Sequence, residues 1–441
     1  MRFTCMLLAV SCLLSAVSAQ WLETTVNLAD TAGPWAICFN SHDNKVYCVD
    51  EMSAELVVVS GATNEILAHV PVGQRPRAAC YNPQDNRVYC ANYTTGDVTV
   101  VDAAVDSVIA TVAVGVWPDA IFYYPLRNKV YVANSGSDNV TVIDGQSNQV
   151  VATVAVGATP RALCGNPAND KVYCANNNDG SITVISGTSN GVLNTVAAGA
   201  RPKALCHNAR DNKVYCANYL GDNVTIIDGA SDQVLANVSA GFLSAPRALC
   251  YNPRNNRVYT ANWSSRSVTV IDGVTNEVRT QVVAGNGPWA VFYNPQSNKV
   301  FCGNFSGDDV TVIDGATDSV LVTIGVTEEP VDFCHNPEQN RVYVANCWGS
   351  CISVLRDSVQ VGAEETPNGE WRVTNAATVV RGVLNLEVDS RQHSAFRTEL
   401  LDAAGRTALD LKPGPNDVRR LAPGVYFVRG ASRVTKVLLA R

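Results

Sequence analysis

Eight positions hold the residue types best suited to chemistry. Each stands directly after a proline, and successive members are 42 residues apart with one step of 44. In chain order they are Trp35, Arg77, Asp119, Arg161, Lys203, Arg247, Trp289 and Val331. Four are bases, two are tryptophans and one is an acid. A second set, Tyr93, Tyr219, Trp263, Phe305 and Trp348, falls just past Ala-Asn or Gly-Asn pairs. Rings beside fixed cations suit sugar rings, carboxylated glycans or an acidic peptide. In a repeat, structural positions stay constant, and these vary. They are therefore the candidate ligand-binding residues, against the plainer reading that they only pack on strand ends. Asp119 is the one acid among the eight, so no catalytic residue is assigned.

Other chemistry is thin. There is no His-Glu-x-x-His, Gly-x-Ser-x-Gly, phosphate-cradling Gly-Lys-Ser/Thr or haem-type Cys-x-x-Cys-His. No metal or cofactor is expected. His207 and His335 share a repeat slot with Tyr81, Tyr251 and Tyr293, which reads as strand surface rather than metal ligation. Of 15 cysteines, Cys5 and Cys12 fall in the first 19 residues. Four pairs lie ten apart: Cys38/Cys48, Cys80/Cys90, Cys164/Cys174 and Cys206/Cys216. On adjacent strands, cross-strand disulfides are open to them. Yet other copies fill the same two slots with Phe122/Val132, Cys250/Thr260, Phe292/Cys302 and Cys334/Val344, as a buried apolar slot would. Cys347 and Cys351 form a separate candidate pair. Asp97, Asp138, Asp222 and Asp308 recur in a loop, where Asx-type capping of the third strand is expected ahead of metal binding.

The frame that positions these residues is a repeat. Asn-Arg-Val-Tyr-Cys-Ala-Asn at 86–92 recurs from Asn128, Asp170, Asn212, Asn256, Asn298 and Asn340, with a variant from Asn44, making eight copies. Each copy carries four strand signals, in the second Arg77–Tyr81, Arg87–Ala91, Asp97–Val101 and Ser107–Val114. Asn-Pro-x-x-Asn and Asp-Gly-x-Ser/Thr-Asn/Asp supply the turns. No apolar stripe of helical period survives between them. Four short antiparallel strands repeated radially make an all-β, eight-bladed β-propeller. The eighth copy lacks a fourth strand, and Glu23–Leu28 is an orphan strand that would complete it and close the ring. The first strand of each blade lines the central channel, so the post-proline residues surround one mouth.

These units resemble YVTN-type β-propeller repeats over about residues 22–357, on the VYVAN strand, the VTVID strand (140–144, 268–272, 310–314) and the ATVAVG strand (110–115, 152–157). The resemblance implies the fold and an exported or cell-surface setting. It leaves function open, since propellers host binding, scaffolding and several chemistries. A linker is expected at 358–371, then a small β-sandwich at 372–441 with strands Val383–Val388, Arg397–Leu401, Val418–Leu421, Gly424–Arg429 and Arg433–Leu439. This tail resembles the C-terminal sorting domain of type IX secretion. The matching pieces are Asp402-x-x-Gly405-Arg406, Leu421-x-x-Gly424-Val425-Tyr426-Phe427-Val428 and Lys436–Leu439; Thr374–Thr378 departs from the family's Pro-Asn-Pro-like opening. It implies the type IX machinery as a partner.

Residues 1–19 read as a secretory signal peptide, with Arg2, an apolar stretch and Val17-Ser18-Ala19 before the cleavage point. No later stretch has the apolar length of a transmembrane helix. Residues 372–441 hold 12 Lys/Arg against 6 Asp/Glu, while the chain as a whole is −7. The body is therefore strongly acidic, which argues against nucleic acid as its partner. The expected role is an exported or surface binding or scaffold propeller with a glycan or acidic peptide at the mouth. A propeller enzyme such as a lyase or lactonase, and a structural surface-layer protein, are the alternatives.

Overall fold

The computed structural model describes residues 20–29 and 32–357 and short stretches between 363 and 439. The expected signal peptide at 1–19 lies outside them. Residues 19–358 form one compact unit. It is an eight-bladed propeller: eight four-stranded antiparallel sheets, seven of them simple meanders. The blades span 34–71 (I), 76–113 (II), 118–155 (III), 160–197 (IV), 202–239 (V), 246–283 (VI), 288–325 (VII) and 330–356 with 21–27 (VIII).

Blade II shows how the repeat writes a blade. Its strands are Pro76–Asn82, Arg87–Asn92, Asp97–Asp102 and Ser107–Ala113. The two middle strands are buried on both faces and therefore read as near-continuous runs, Val-Tyr-Cys-Ala and Val-Thr-Val-Val. The outer strand alternates only weakly, and Val108 and Ile109 remain exposed. At the first turn Asn82 Oδ1 accepts from the N–H groups of Gln84 and Asp85, at 2.9 and 3.3 Å. Pro83 presets the turn and Asn86, at φ +51°, ends it.

The constant residues of the repeat work between blades. Tyr89 is fully buried, and its hydroxyl donates to Gly145 O at 3.0 Å and Asn148 Oδ1 at 2.9 Å, in the last turn of blade III. Arg87 Nη1 reaches Gly145 O at 2.6 Å, and Asn82 Nδ2 donates to Asn128 Oδ1 at 2.9 Å. Apolar side chains fill the space behind this latch: Tyr47, Val49, Leu56 and Val58 of blade I pack on Val88, Cys90, Val101 and Ala103 of blade II. No blade buries both faces alone, so the core is a set of inter-blade layers.

The ring closes as the orphan strand implies. Trp21–Asn27 pairs antiparallel with Cys351–Arg356, somewhat earlier than the 23–28 expected. Glu23 pins it, with Arg341 Nη2 at 2.6 Å and Arg356 Nε at 2.9 Å. The latch also runs from blade VIII back to blade I, through Asn336 Nδ2 to Asn44 Oδ1 at 2.8 Å and Tyr343 Oη to Asn64 Oδ1 at 2.7 Å. First strands of neighbouring blades pack together all round the axis, blades VIII and I included.

The residues from 359 onward belong to a second unit. Its five-stranded sheet runs Thr378–Val380, Val434–Leu439, Gly424–Arg429, Thr398–Leu401, Thr407–Leu411 in spatial order, with one parallel pair. Val383–Leu386 pairs with Gly414–Asp417, and Ala363–Glu365, within the stretch read as linker, pairs with Trp371–Val373, which crosses the expected boundary at 371/372. Residues 418–420, most of the expected strand Val418–Leu421, lie outside the described residues, as do Asp402–Arg406. No helix among the described residues is long and apolar enough to cross a membrane.

Candidate functional site

The thiols are settled by register. All thirteen cysteines of the described residues are free. Cys38 pairs with Tyr47, and Cys48 pairs with Ile37. The ten-residue spacing is thus one residue out of register, which puts the two sulfurs on opposite faces of the sheet. Cys48 lies in the layer between blades VIII and I, and Cys38 packs against the layer between I and II. The same split separates Cys80 from Cys90 and Cys164 from Cys174. The disulfide option is corrected accordingly, and Cys347 and Cys351 are free as well. Burial drives these thiols up, Cys164 to about 12, so they act as small apolar side chains.

Two polar slots resolve similarly. His207 and Tyr251 occupy one position, and Tyr251 Oη meets Asn256 Oδ1 at 3.0 Å. No metal-holding cluster of His, Cys, Asp or Glu occurs among the described residues. Asp138, Asp222 and Asp308 accept backbone N–H groups from the next blade's entry loop: Thr159 at 2.8 Å, Ala245 at 2.9 Å and Glu329 at 3.0 Å. Asp97 is corrected: it stands one residue later in its loop and instead holds Asn92 Nδ2 at 2.6 Å.

The mouth is built by the loops entering each first strand. The residue before the proline takes a left-handed conformation in most blades, as in Arg75 (φ +51°), Trp117 (+55°) and Arg201 (+58°). The proline begins the strand, and the next side chain is held half-buried at the channel end.

On one side the bases are neutralised. Asp119 joins Arg77 Nη1 at 3.3 Å to Arg161 Nη1 at 3.0 Å. Glu51 takes Arg77 Nε at 3.2 Å and Arg75 Nη2 at 2.7 Å. The Arg77 guanidinium lies 4.2 Å from the Tyr93 ring centre and 5.6 Å from that of Trp35. Another side is aromatic. Trp289 stacks on Phe305 at 4.4 Å and meets Trp35 and Trp263 edge-on at 6.1 and 5.5 Å. Arg247 lies over Trp289, 3.1 Å from its centre.

Between them is a basic depression of about 290 Å³, lined by Arg161, Lys203, Arg247, Arg201, Tyr219 and Asn177. Among the described residues no carboxylate pairs with Lys203 or Arg247. Burial, then Arg247, Arg161 and Arg77, push the Lys203 ammonium down to about 7, against a weaker pull from Asp119. Burial first, with Arg161 adding, lowers Arg247 to about 10, opposed by Tyr219 and Asp119. Two bases crowd a partly desolvated hollow, and the nearby carboxylate, Asp119, is paired to Arg77 and Arg161.

Nine of the ten residues expected to bind ligand fall into three contiguous groups: Arg77, Tyr93, Asp119 and Arg161; Trp35, Trp263 and Trp289; Lys203 and Tyr219. The tenth, Arg247, touches the last two groups. Trp348 is 73% exposed and joins none of them, and Val331 is buried between blades VIII and I. Glu51, Arg75, Arg201 and Trp117 are additions. Their signal was available: the first copy reads Val-Asp-Glu where others read Ala-Asn, and the pre-proline slot varies as freely as the post-proline one. Asp332 is another, replacing the alanine that the seven other first strands carry. Its Oδ2 accepts from Ile37 N at 2.9 Å, and burial raises it to about 6.

A family model described as YNCE-like beta-propeller matches residues 52–245. No curated protein matches the chain. Among solved structures, Kuenenia stuttgartiensis Hydrazine Synthase aligns at TM-score 0.55 and 20% identity over 68% of this chain and all of that chain. The Saccharomyces cerevisiae protein Sqt1 aligns at TM-score 0.66 and 11% identity over 76% of this chain and all of that chain. At such identities the likeness is one of fold, and the fold is the β-propeller.

Proposed function

We propose that the chain is an exported binding propeller whose mouth holds a carboxylated sugar, with Arg161, Lys203 and Arg247 on the carboxylate and Tyr219 beside the ring. The observation that carries this is the pair Lys203 and Arg247, half-buried together without an acid. Packing cations out of water with no partner is costly, and an arriving carboxylate would remove that cost. A hollow of about 290 Å³ accommodates a single charged residue of a ligand rather than a long peptide backbone. A positive mouth in an acidic body also steers anions toward one place. Residues 1–19 and 372–441 serve export and type IX sorting in this reading. Deleting 372–441 should then leave the protein inside the outer membrane of its native cell, and surface display of the truncated chain would count against it.

The binding test titrates oligogalacturonate and a hexaglutamate peptide against the wild type, Lys203→Met and Arg247→Met. Oligogalacturonate should bind, and each variant should weaken it at least tenfold, about 1.4 kcal/mol. Preference for the peptide would transfer the site to acidic protein ligands; equal binding by both variants would remove it. One observation favours an enzymatic second reading: a lysine titrating near 7 beside arginines is equipped to take a proton next to a carboxylate. Accumulation of unsaturated uronate from oligogalacturonate, lost in Lys203→Met, would establish a lyase.

A further inference from the structure

We infer a second binding site, for a neutral pyranose ring, in the groove between blades II and III, with Trp117 as its platform. This site is independent of the basic hollow. The groove has a volume of about 430 Å³, within the range of small-ligand sites. None of the residues lining it carries a charge. Its polar side chains are hydroxyls and one amide: Thr94, Thr95, Ser137, Thr141, Thr153 and Asn139. Thr94, Thr95 and Thr153 are exposed, free to exchange water for the hydroxyls of a ligand.

Trp117 supplies the apolar surface. It is 50% exposed, and it lies parallel to Tyr93 with ring centres 5.8 Å apart. Its backbone sits at φ +55°, where a bulky side chain is rarely found and costs free energy to hold. Blade III departs from the repeat twice to place it there. It alone puts an aromatic residue before the entry proline. It also carries Gly136 beside the indole, where a Cβ would stand 2.7 Å from Trp117 Cε3. The positive φ is common to the entry loops of most blades, but an aromatic ring in that slot and the space cleared beside it have no role in the latch or in the blade core. The negative face of an aromatic ring attracts the weakly positive C–H face of a pyranose, while surrounding hydroxyls bond its rim. That combination, with no charge present, selects neutral sugars over ions, peptide termini or phosphates.

The test is an array of neutral oligosaccharides of glucose, galactose, mannose and N-acetylglucosamine, probed with the full chain and followed by tryptophan-fluorescence titration. At least one should bind and change the fluorescence. Trp117→Gly should weaken it tenfold or more while melting at or above the wild-type temperature, because glycine relieves the positive φ. Gly136→Ala should weaken it too, by displacing the ring. Lys203→Met should bind the neutral sugar as the wild type does, and Trp117→Gly should still bind oligogalacturonate, so the two sites succeed or fail separately. Absence of any neutral ligand, or unchanged binding by Trp117→Gly, would overturn the proposal.

Discussion

At the scale of single residues, the molecule separates side chains that keep the repeat from those that depart from it. Lys203 is the clearest departure. Its folded-state pKa near 7 lies below the ordinary 10.5. Between those values the folded protein binds fewer protons than the unfolded chain, so this group makes stability rise with pH from about 7 upward. Anion binding needs the protonated ammonium, so affinity for oligogalacturonate should be flat below pH 7 and fall up to tenfold per unit above it. Titrations at pH 6, 7, 8 and 9 check this, and Lys203→Met should flatten the profile. Asp332 carries the opposite sign. Raised from 3.8 to about 6, it makes stability fall as pH rises through that interval. Asp332→Ala, restoring what the other first strands hold, should stabilise the protein by about 1–3 kcal/mol at pH 7 in urea unfolding. The cysteines are repeat-keepers: denatured, unreduced protein lacking residues 1–19 should titrate thirteen thiols, and fewer would contradict the register.

At the scale of elements, stability resides in contacts between blades. Tyr89→Phe removes a buried donor to Gly145 and Asn148 while keeping the ring, and should cost about 0.5–1.5 kcal/mol, since Arg87 Nη1 still serves both acceptors. A loss within experimental error in urea unfolding would mean that apolar packing alone holds the blades together. The closing strand is the second element with a separable role. Removing residues 20–28 exposes the edge Cys351–Arg356 and deletes the Glu23 link to Arg341 and Arg356. That variant should aggregate or associate on gel filtration, and melt less cooperatively than the wild type. Glu23→Gln should show a milder form of the same loss. The strands themselves were legible in the sequence because Val, Ile, Thr and Tyr runs alternate with Asn-Pro and Asp-Gly turns. The one-residue offset of the cysteine pairs was not, because it depends on how many residues the first turn consumes, which Asn82 and Pro83 fix only in three dimensions.

At the scale of the whole molecule, the closed ring converts a sequence period into a spatial one. That is why the eight post-proline residues could be placed round one mouth from spacing alone. What spacing could not supply was charge pairing. Asp119 and Glu51 pair with Arg77, Arg75 and Arg161, and the bases of the mouth without a carboxylate partner among the described residues are Lys203 and Arg247. Nor could spacing show that Trp117 and Gly136, 19 residues apart in sequence, lie against each other. Binding at the mouth is tested by calorimetric titration of oligogalacturonate at pH 6.5 into the wild type and Arg247→Met. The wild type should bind and the variant should lose at least tenfold in affinity, with the melting temperature of the unliganded variant unchanged or higher. Equal affinity of the two proteins would contradict it.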